Sequence, residues 1–335
     1  MKKLRILGLL AVAVSVLLTC GCDTLFYLQK LGFINTKGEL VIEADFQSAQ
    51  TFHDGYCAVM IGMEDMEMWG FIDQEGNYII PPYYYDVRPF YQGYAPVMMK
   101  EKGKQVWSYI DTTGIDPFAG KIFSDASVFV LDLAPVKDIE TGLYGYIGLD
   151  GEYVISPQFE VASIFDAESG LAMFRVSENK TTRSGYINTK GEVVIQPKYA
   201  YGGTFSNGLA VVKLSNSNSV NDWGYINTLG ELVLGGDLAG AGTYTENLAP
   251  VCFAGISNAF NSKPDWGYID INGNVIIPAA YYEAGSFVDG IAVVCLKENA
   301  SPEYAYIDIN GNLLFNQTFR NAGQFSNGLA PVVFK

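Results

Sequence analysis

Residues 266–273 read WGYIDING, and the chain repeats that phrase. The copies are LGFINTKG (31–38), WGFIDQEG (69–76), WSYIDTTG (107–114), YGYIGLDG (144–151), SGYINTKG (184–191), WGYINTLG (223–230), WGYIDING (266–273) and YAYIDING (304–311). Their starts are 38, 38, 37, 40, 39, 43 and 38 residues apart, so residues 31–335 hold eight units. A fixed period of this size is the signature of a repeat array. In each copy the aromatic and the isoleucine alternate across a strand and face opposite sides. An Asx residue follows in seven copies, Gly148 being the exception, and a glycine three places on supplies the left-handed backbone of a turn. An apolar run such as Val193–Val194–Ile195 comes next, which completes a β-hairpin. Pro81, Pro157, Pro197 and Pro278 then close the run; with no amide donor, each is expected to end the pairing.

Two further phrases lie between the copies. One is F-x-x-G-L-A-P-V, clearest as FYQGYAPV (90–97) and FSNGLAPV (325–332) and lengthened by two residues between Phe165 and Ala172. It predicts a third short strand, making each unit a three-stranded antiparallel meander. The other is an aromatic–small–aromatic triple spaced by three, such as Phe46/Ala49/Phe52 and Phe319/Ala322/Phe325. Period three suits neither helix nor strand, so the triple reads as a tight link packing one unit on the next, with room for a short fourth strand. The fold class is therefore all-β. One unit cannot bury a core alone, but stacked units can. The first unit lacks its own A-P-V strand and the last has a spare one, Ala330–Pro331–Val332, so the spare strand favours a closed, propeller-like ring. An open β superhelix or solenoid is the alternative.

These phrases resemble the WG-repeat family of bacterial proteins. Trp itself stands only at 69, 107, 223 and 266, with Leu31, Tyr144, Ser184 and Tyr304 elsewhere, so indole chemistry is not what the position requires.

Composition narrows the function. The 335 residues are 49% hydrophobic and 17% charged, which excludes a disordered chain. With 36 acidic and 21 basic residues the net charge is −15, which disfavours a nucleic-acid partner. The single histidine, His53, excludes any mechanism or metal site that needs two. No Walker loop, dinucleotide fingerprint, G-x-S-x-G or Cys/His cluster occurs. DINGN at 270–274 and 308–312 has its glycine in fourth place, not the sixth that a calcium loop uses, and reads as an Asx-capped turn. No catalytic residue, metal ligand or cofactor is assigned, and the chain reads as a non-enzyme.

The N-terminus, MKKLRILGLLAVAVSVLLTCGCD, has a basic start and an apolar run of thirteen residues, the proportions of a signal peptide. It resembles the lipobox of bacterial lipoproteins, with Cys22 after Gly21 the better acceptor and Cys20 the alternative. That resemblance implies a signal peptide over 1–21, a lipid-anchored linker over 22–30, and an extracytoplasmic protein held to a membrane through Cys22. Cleavage would remove Lys2, Lys3 and Arg5, deepening the charge to −18. Cys57, Cys252 and Cys295 fall in equivalent strands and read as small buried hydrophobes, with a Cys252–Cys295 disulfide as the rival reading. The tyrosines beyond the repeat pattern, Tyr83, Tyr85, Tyr201 and Tyr282, are the candidate ligand-binding residues. The expected role is a binding or scaffold module for a protein or peptide; a carbohydrate or peptidoglycan module is the second reading, and a carboxylate-dependent hydrolase the third.

The anchor is testable. Cys22→Ala should abolish metabolic labelling with palmitate and leave an unprocessed precursor. Labelling that survives in Cys22→Ala and vanishes in Cys20→Ala would move the anchor to Cys20.

Overall fold

The computed structural model describes residues 30–63, 66–178, 181–215, 222–253, 266–297 and 302–335. The signal peptide, Cys20, Cys22 and most of the linker lie outside the described residues. Among the described residues no helix is long and apolar enough to cross a membrane. The strands form eight small antiparallel sheets, six of four strands and two of three, arranged as the blades of a closed propeller.

The second blade shows the plan: an inner strand Ser48–Ala49, a second strand Cys57–Met63, a third strand Met66–Ile72 and an outer strand Tyr78–Tyr84. The three expected strands are present, and the small residue of each triple sits in a short fourth one at the inner edge. The first blade is made from both ends of the chain: Asn321–Ala322 and Leu329–Val333 pair with Leu31–Asn35 and Leu40–Phe46. Leu329–Val333 runs antiparallel to Leu31–Asn35, with Gly32 opposite Val332 and Asn35 opposite Leu329. The spare strand thus closes the ring.

The core lies between blades. Phe71 and Trp69 pack toward the third blade with Phe90 and Val97, while Cys57, Val59 and Ile72 pack toward the first with Phe33, Phe46 and Leu329. In seven of the eight triples the last aromatic stacks on the hairpin aromatic of the preceding blade. Ring centroids are 5.4 Å apart for Phe33–Phe52, 4.7 Å for Phe71–Phe90, 4.9 Å for Tyr146–Phe165 and 4.8 Å for Tyr306–Phe325. These tilted and edge-on pairs each add about 0.5–1.5 kcal/mol beyond area burial. That contact explains the period of three: the triple crosses from one blade into the next.

The glycine of the repeated phrase has a specific cause. In the fifth blade Tyr186 faces Ile195 and Ser184 faces Tyr199, so two residues of the third strand oppose four of the outer one. The outer strand bulges inward there and lays its backbone on Gly185: a methyl group on that residue would sit 2.6 Å from the Ile195 carbonyl oxygen and 2.9 Å from the Pro197 nitrogen. Gly70, Gly145 and Gly267 meet the same backbone at 2.5–2.6 Å. Pro81, Pro157, Pro197 and Pro278 lie within outer strands that continue to Tyr84, Phe159, Tyr199 and Tyr281. The expectation that proline ends the pairing is therefore corrected: it occupies the bulge, where the ladder demands no amide. Two blades carry a side chain at the glycine position, Ser108 in the third and Ala305 in the eighth, and these are the two three-stranded sheets. Their outer segments keep only isolated bridges, Trp107 with Phe123, Tyr304 with Phe319 and Ile307 with Leu313.

Gly185→Ala should therefore cost about 1–3 kcal/mol, the usual range for overpacking a close contact. Hydrogen exchange should localise the damage to residues 193–199. Unchanged stability in urea with unchanged protection of that strand would contradict the backbone contact.

Candidate interaction surfaces

Strand direction gives the ring two faces. One, the turn face, carries the inner-to-second turns (Asp54–Gly55 in the second blade) and the third-to-outer turns (Asp73–Gly76). The other, the loop face, carries the second-to-third connections, such as Lys102–Gly103 of the third blade, between strands Tyr94–Glu101 and Lys104–Asp111.

The inner turns crowd the ring axis. His53 and Tyr56 exchange both backbone hydrogen bonds around Asp54 and Gly55, whose φ values are 51° and 84°. Two positive φ angles define a type I′ hairpin, which Asn-Gly and Asp-Gly favour. Asn207–Gly208, Asp289–Gly290 and Asn327–Gly328 have the same conformation. Five of the eight junctions are bonded turn to turn: the Asn327 side chain accepts from the Gly55 amide, Asp54 from Gly93, Asn207 from Glu246 and Glu246 from Gly290. Gln92 and Asp132 bond one another twice, at 2.8 and 3.1 Å. His53 stacks against Tyr91, centroids 4.7 Å apart, with its Nε2 2.9 Å from the Thr51 hydroxyl. Asp54, Asp132 and Glu246 at this mouth are thus engaged in holding neighbouring turns together.

The third-to-outer turns engage the rest. Asp270 Oδ1 accepts from the amides of Asn272 and Asn274, while Oδ2 accepts from the Asn274 side chain. Asp73 does the same with Glu75 and Asn77, and Asp308 with Asn310 and Asn312. The polarity reverses where the turn opens with asparagine: Asn35, Asn188 and Asn227 each donate to a glutamate four residues on. The two versions, D-x-x-G-N and N-x-x-G-E, make one interaction with donor and acceptor exchanged. The Asn274 side chain and the amides around it hold the Asp270 carboxyl below its ordinary pKa. Each turn also seats the previous blade, since Gly191, at φ 81°, lies over Ile155 and Gly38 over Phe315.

Buried tyrosines tie blade to blade. The hydroxyls of Tyr109, Tyr146, Tyr186, Tyr225, Tyr268 and Tyr306 donate to the carbonyls of Ser127, Ser163, Gly203, Gly242, Gly285 and Gly323 at 2.7–2.9 Å. Burial pushes Tyr186 and Tyr306 well above the ordinary tyrosine pKa. Where phenylalanine stands instead, at 33 and 71, the residue seventeen places on is Gln50 or Arg88, and its own side chain crosses to the following blade. Gln50 donates to the Val87 carbonyl and Arg88 pairs with Asp125 at 2.7 Å. Arg88 also lies 4.9 Å from the centre of the Trp107 ring, and Tyr144 donates to Asp125 at 2.5 Å. Sequence reading missed this network because its members are 19–37 residues apart.

The four candidate tyrosines fall at three different blade junctions. Tyr83 is 69% exposed and lies edge-on to Tyr84; Tyr85 is half-buried, with the Lys100 ammonium 6.0 Å from its ring. Tyr201 packs on Trp223 with centroids 5.5 Å apart, and Tyr282 is half-buried with its amide bonded to Cys295. The structure does not bring them together. Cys57 and Cys295 are buried as expected, whereas Cys252 is half-buried.

The exposed apolar residues at the turn tips were not singled out by the sequence reading. Leu229, Ile271 and Ile309 project from the turn face of the sixth, seventh and eighth blades, 74%, 49% and 48% exposed. Glu231, Asp270 and Asp308 lie in the same three turns.

A closed eight-bladed β-propeller with hydrogen-bonded turns at its mouth is thus the class of protein the fold defines. The chain belongs to the WG containing repeat family, which matches residues 32–62, 69–102, 144–180, 185–216, 223–255, 266–299 and 304–335. The unit with Ser108 in place of the glycine lies in the gap between the second and third of these matches. No curated protein matches the chain. Among solved structures, prolyl oligopeptidase B from Galerina marginata is similar over 91% of this chain and 55% of its own, at 10% identity and a TM-score of 0.53. An uncharacterised protein from Listeria monocytogenes is similar over 68% of this chain and 80% of its own, at 10% identity and a TM-score of 0.45. At such identity the likeness concerns the fold alone.

The exchanged turn pairs give a test. Asn188→Asp should set two carboxylates face to face with Glu192 and destabilise by about 0.3–0.5 kcal/mol, the size of an exposed pair. Glu192→Asn added to it should restore stability at pH 7 by recreating the Asp270–Asn274 pair. Because that partner lowers the aspartate's folded pKa, the restored stability should be present above the unfolded carboxyl pKa and fade as pH falls through the folded one. Failure of the second substitution to rescue would show that the pairs are not equivalent.

Proposed function

We propose that this propeller is the non-catalytic binding module of a cell-envelope lipoprotein, and that it holds a protein or peptide partner on its turn face. The observation that carries this reading is the exposure of Leu229, Ile271 and Ile309 on three successive blades. Exposed large apolar residues grouped on a rigid surface are how a monomeric fold offers a docking patch. Neighbouring acidic groups, Glu231, Asp270 and Asp308, favour a basic amphipathic partner. Asp54, Asp73, Asp132, Asp270 and Asp308 accept hydrogen bonds from within the ring itself. The scattered positions of Tyr83, Tyr85, Tyr201 and Tyr282 give the carbohydrate reading no common platform.

The test uses the lipid-free chain as bait for native envelope extract, beside Leu229→Ser/Ile271→Ser/Ile309→Ser with an unchanged melting curve. The wild-type ring should retain a discrete protein and the triple variant should lose at least most of it. Equal retention by both would remove the turn tips from the interface. A blank extract combined with a positive glycan array would replace the protein partner by a sugar.

A further inference from the structure

We propose that the turn face holds the carboxyl-terminal segment of its partner. A basic, apolar stretch of chain lies across the sixth, seventh and eighth blades, and its terminal carboxylate enters an open pocket beside Lys37 of the first blade. This rests on the turn-face docking reading and adds the partner's direction and end group to it.

The first argument is continuity. Third-to-outer turns lie on the third residue of the previous blade's outer segment. A methyl group on Gly273 would sit 2.9 Å from Leu234, one on Gly311 3.2 Å from Ile277 and one on Gly38 2.9 Å from Phe315. The two residues before each of these contacts are aliphatic and 38–57% exposed: Leu232 and Val233, Val275 and Ile276, Leu313 and Leu314. Leu229, Ile271 and Ile309 stand in the turns alongside, so tips and pairs alternate as one apolar strip on the rim of the turn face. Other blades carry exposed pairs, such as Val193 and Val194, but their turn tips are polar except for Leu149 in the fourth. Three apolar tips in succession occur in the sixth to eighth blades alone.

The second argument is where the strip stops. The next turn, Asn35–Gly38, presents Thr36 and Lys37. The eighth blade has no regular outer strand, and residues 313–319 keep bridges only at their two ends. An open pocket of about 330 Å³ lies between this segment and the turn, lined by Lys37, Leu314, Phe315, Asn316 and Gln317. Gln317 donates across it to the Gly38 carbonyl at 3.1 Å. Lys37 and Asn316 are left to supply donors, and Leu314 carries the apolar strip into the pocket wall. Among the described residues no carboxylate pairs with the Lys37 ammonium, in a chain whose net charge is −15. Glu39 accepts from the Asn35 side chain instead, at 2.9 Å. A lone cation at the end of an acidic, apolar strip complements a segment that is basic and apolar along its length and anionic at its end. Ammonium and amide donors are the groups that receive a terminal carboxylate.

The third argument is an internal comparison. The hexapeptide INTKGE occurs at 34–39 and again at 187–192, with the same bonds inside the turn. Beside Lys190 the preceding outer segment is the continuous strand Tyr153–Phe159, with Ile155 under Gly191. Beside Lys37 the preceding segment leaves the sheet. The neighbouring blade, not the hexapeptide, makes the pocket. Packed sheets stand about 10 Å apart, so the path from the sixth blade's turn to the first blade's is at least about 30 Å, the span of about nine extended residues.

The experiment uses two displayed libraries of random peptides of about twelve residues, one with free carboxyl ends and one with those ends blocked by fusion, selected on the lipid-free chain. The free-end library should yield basic, apolar binders. Their carboxamide forms should bind the wild-type ring about tenfold more weakly, the size of one charge-assisted bond. Lys37→Ala should cause the same loss and make amidation neutral, while Lys190→Ala should leave affinity unchanged. Binders that lose affinity in Leu229→Ser/Ile271→Ser/Ile309→Ser but ignore amidation and Lys37→Ala would overturn the end group and keep the turn-face reading. An equal loss in Lys190→Ala would also overturn the assignment to this pocket. Sensitivity to amidation and Lys37→Ala without sensitivity to the triple variant would sink the turn-face reading and leave the pocket. Binders indifferent to every change, or no binders from either library, would sink both.

Discussion

The ladder between Leu31–Asn35 and Leu329–Val333 is the constraint on which the other contacts depend. Every blade has two apolar faces and can bury them only against two neighbours. Phe33 illustrates this: it stacks on Phe52 of the second blade while its own strand is held from the other side by the end of the chain. Without that ladder one junction opens, and the faces carrying Leu31, Phe46 and Leu329 on one side and Phe319 and Val332 on the other lose their cover. The pairing joins residues some three hundred positions apart, so forming it carries the entropic cost of closing a long loop.

The junctions use a small set of devices and substitute one for another. A tyrosine hydroxyl bonds a carbonyl seventeen or eighteen residues on in six of them. Where phenylalanine removes that donor, Gln50 and Arg88 send a side chain across instead. Aspartate and asparagine exchange roles in the third-to-outer turns, with the partner four residues later changing to match. These swaps keep each buried or bent backbone group satisfied. They also engage Glu39, Asp73, Glu192, Glu231, Asp270 and Asp308 in hydrogen bonds within the turns. Many of the polar groups that stand out in the sequence are fastenings of the ring, while Leu229, Ile271 and Ile309 are exposed at turn tips.

The two faces of the ring differ in what they carry. Strand direction alone fixes that inner turns and third-to-outer turns share one face and that both ends of the array share the other.

Much of this was written in the chain. The period, the aromatic–isoleucine alternation and the Asx–x–x–Gly turn determine a β-hairpin repeated eight times, and the spare Ala330–Pro331–Val332 pointed to closure. Short-range physics decides such features, since turn chemistry and side-chain alternation act within a few residues. The tertiary structure decided three things. It showed why the phrase needs its glycine, because the cause is the backbone of Ile195 and Pro197 folding onto Gly185 from an adjacent strand. It turned proline from a terminator into the corner of a bulge that faces that glycine. It distributed Tyr83, Tyr85, Tyr201 and Tyr282 among three junctions while grouping Leu229, Ile271 and Ile309 on one face. None of these follows from local pattern, because each depends on which backbone or blade comes to lie beside a residue once the ring has closed.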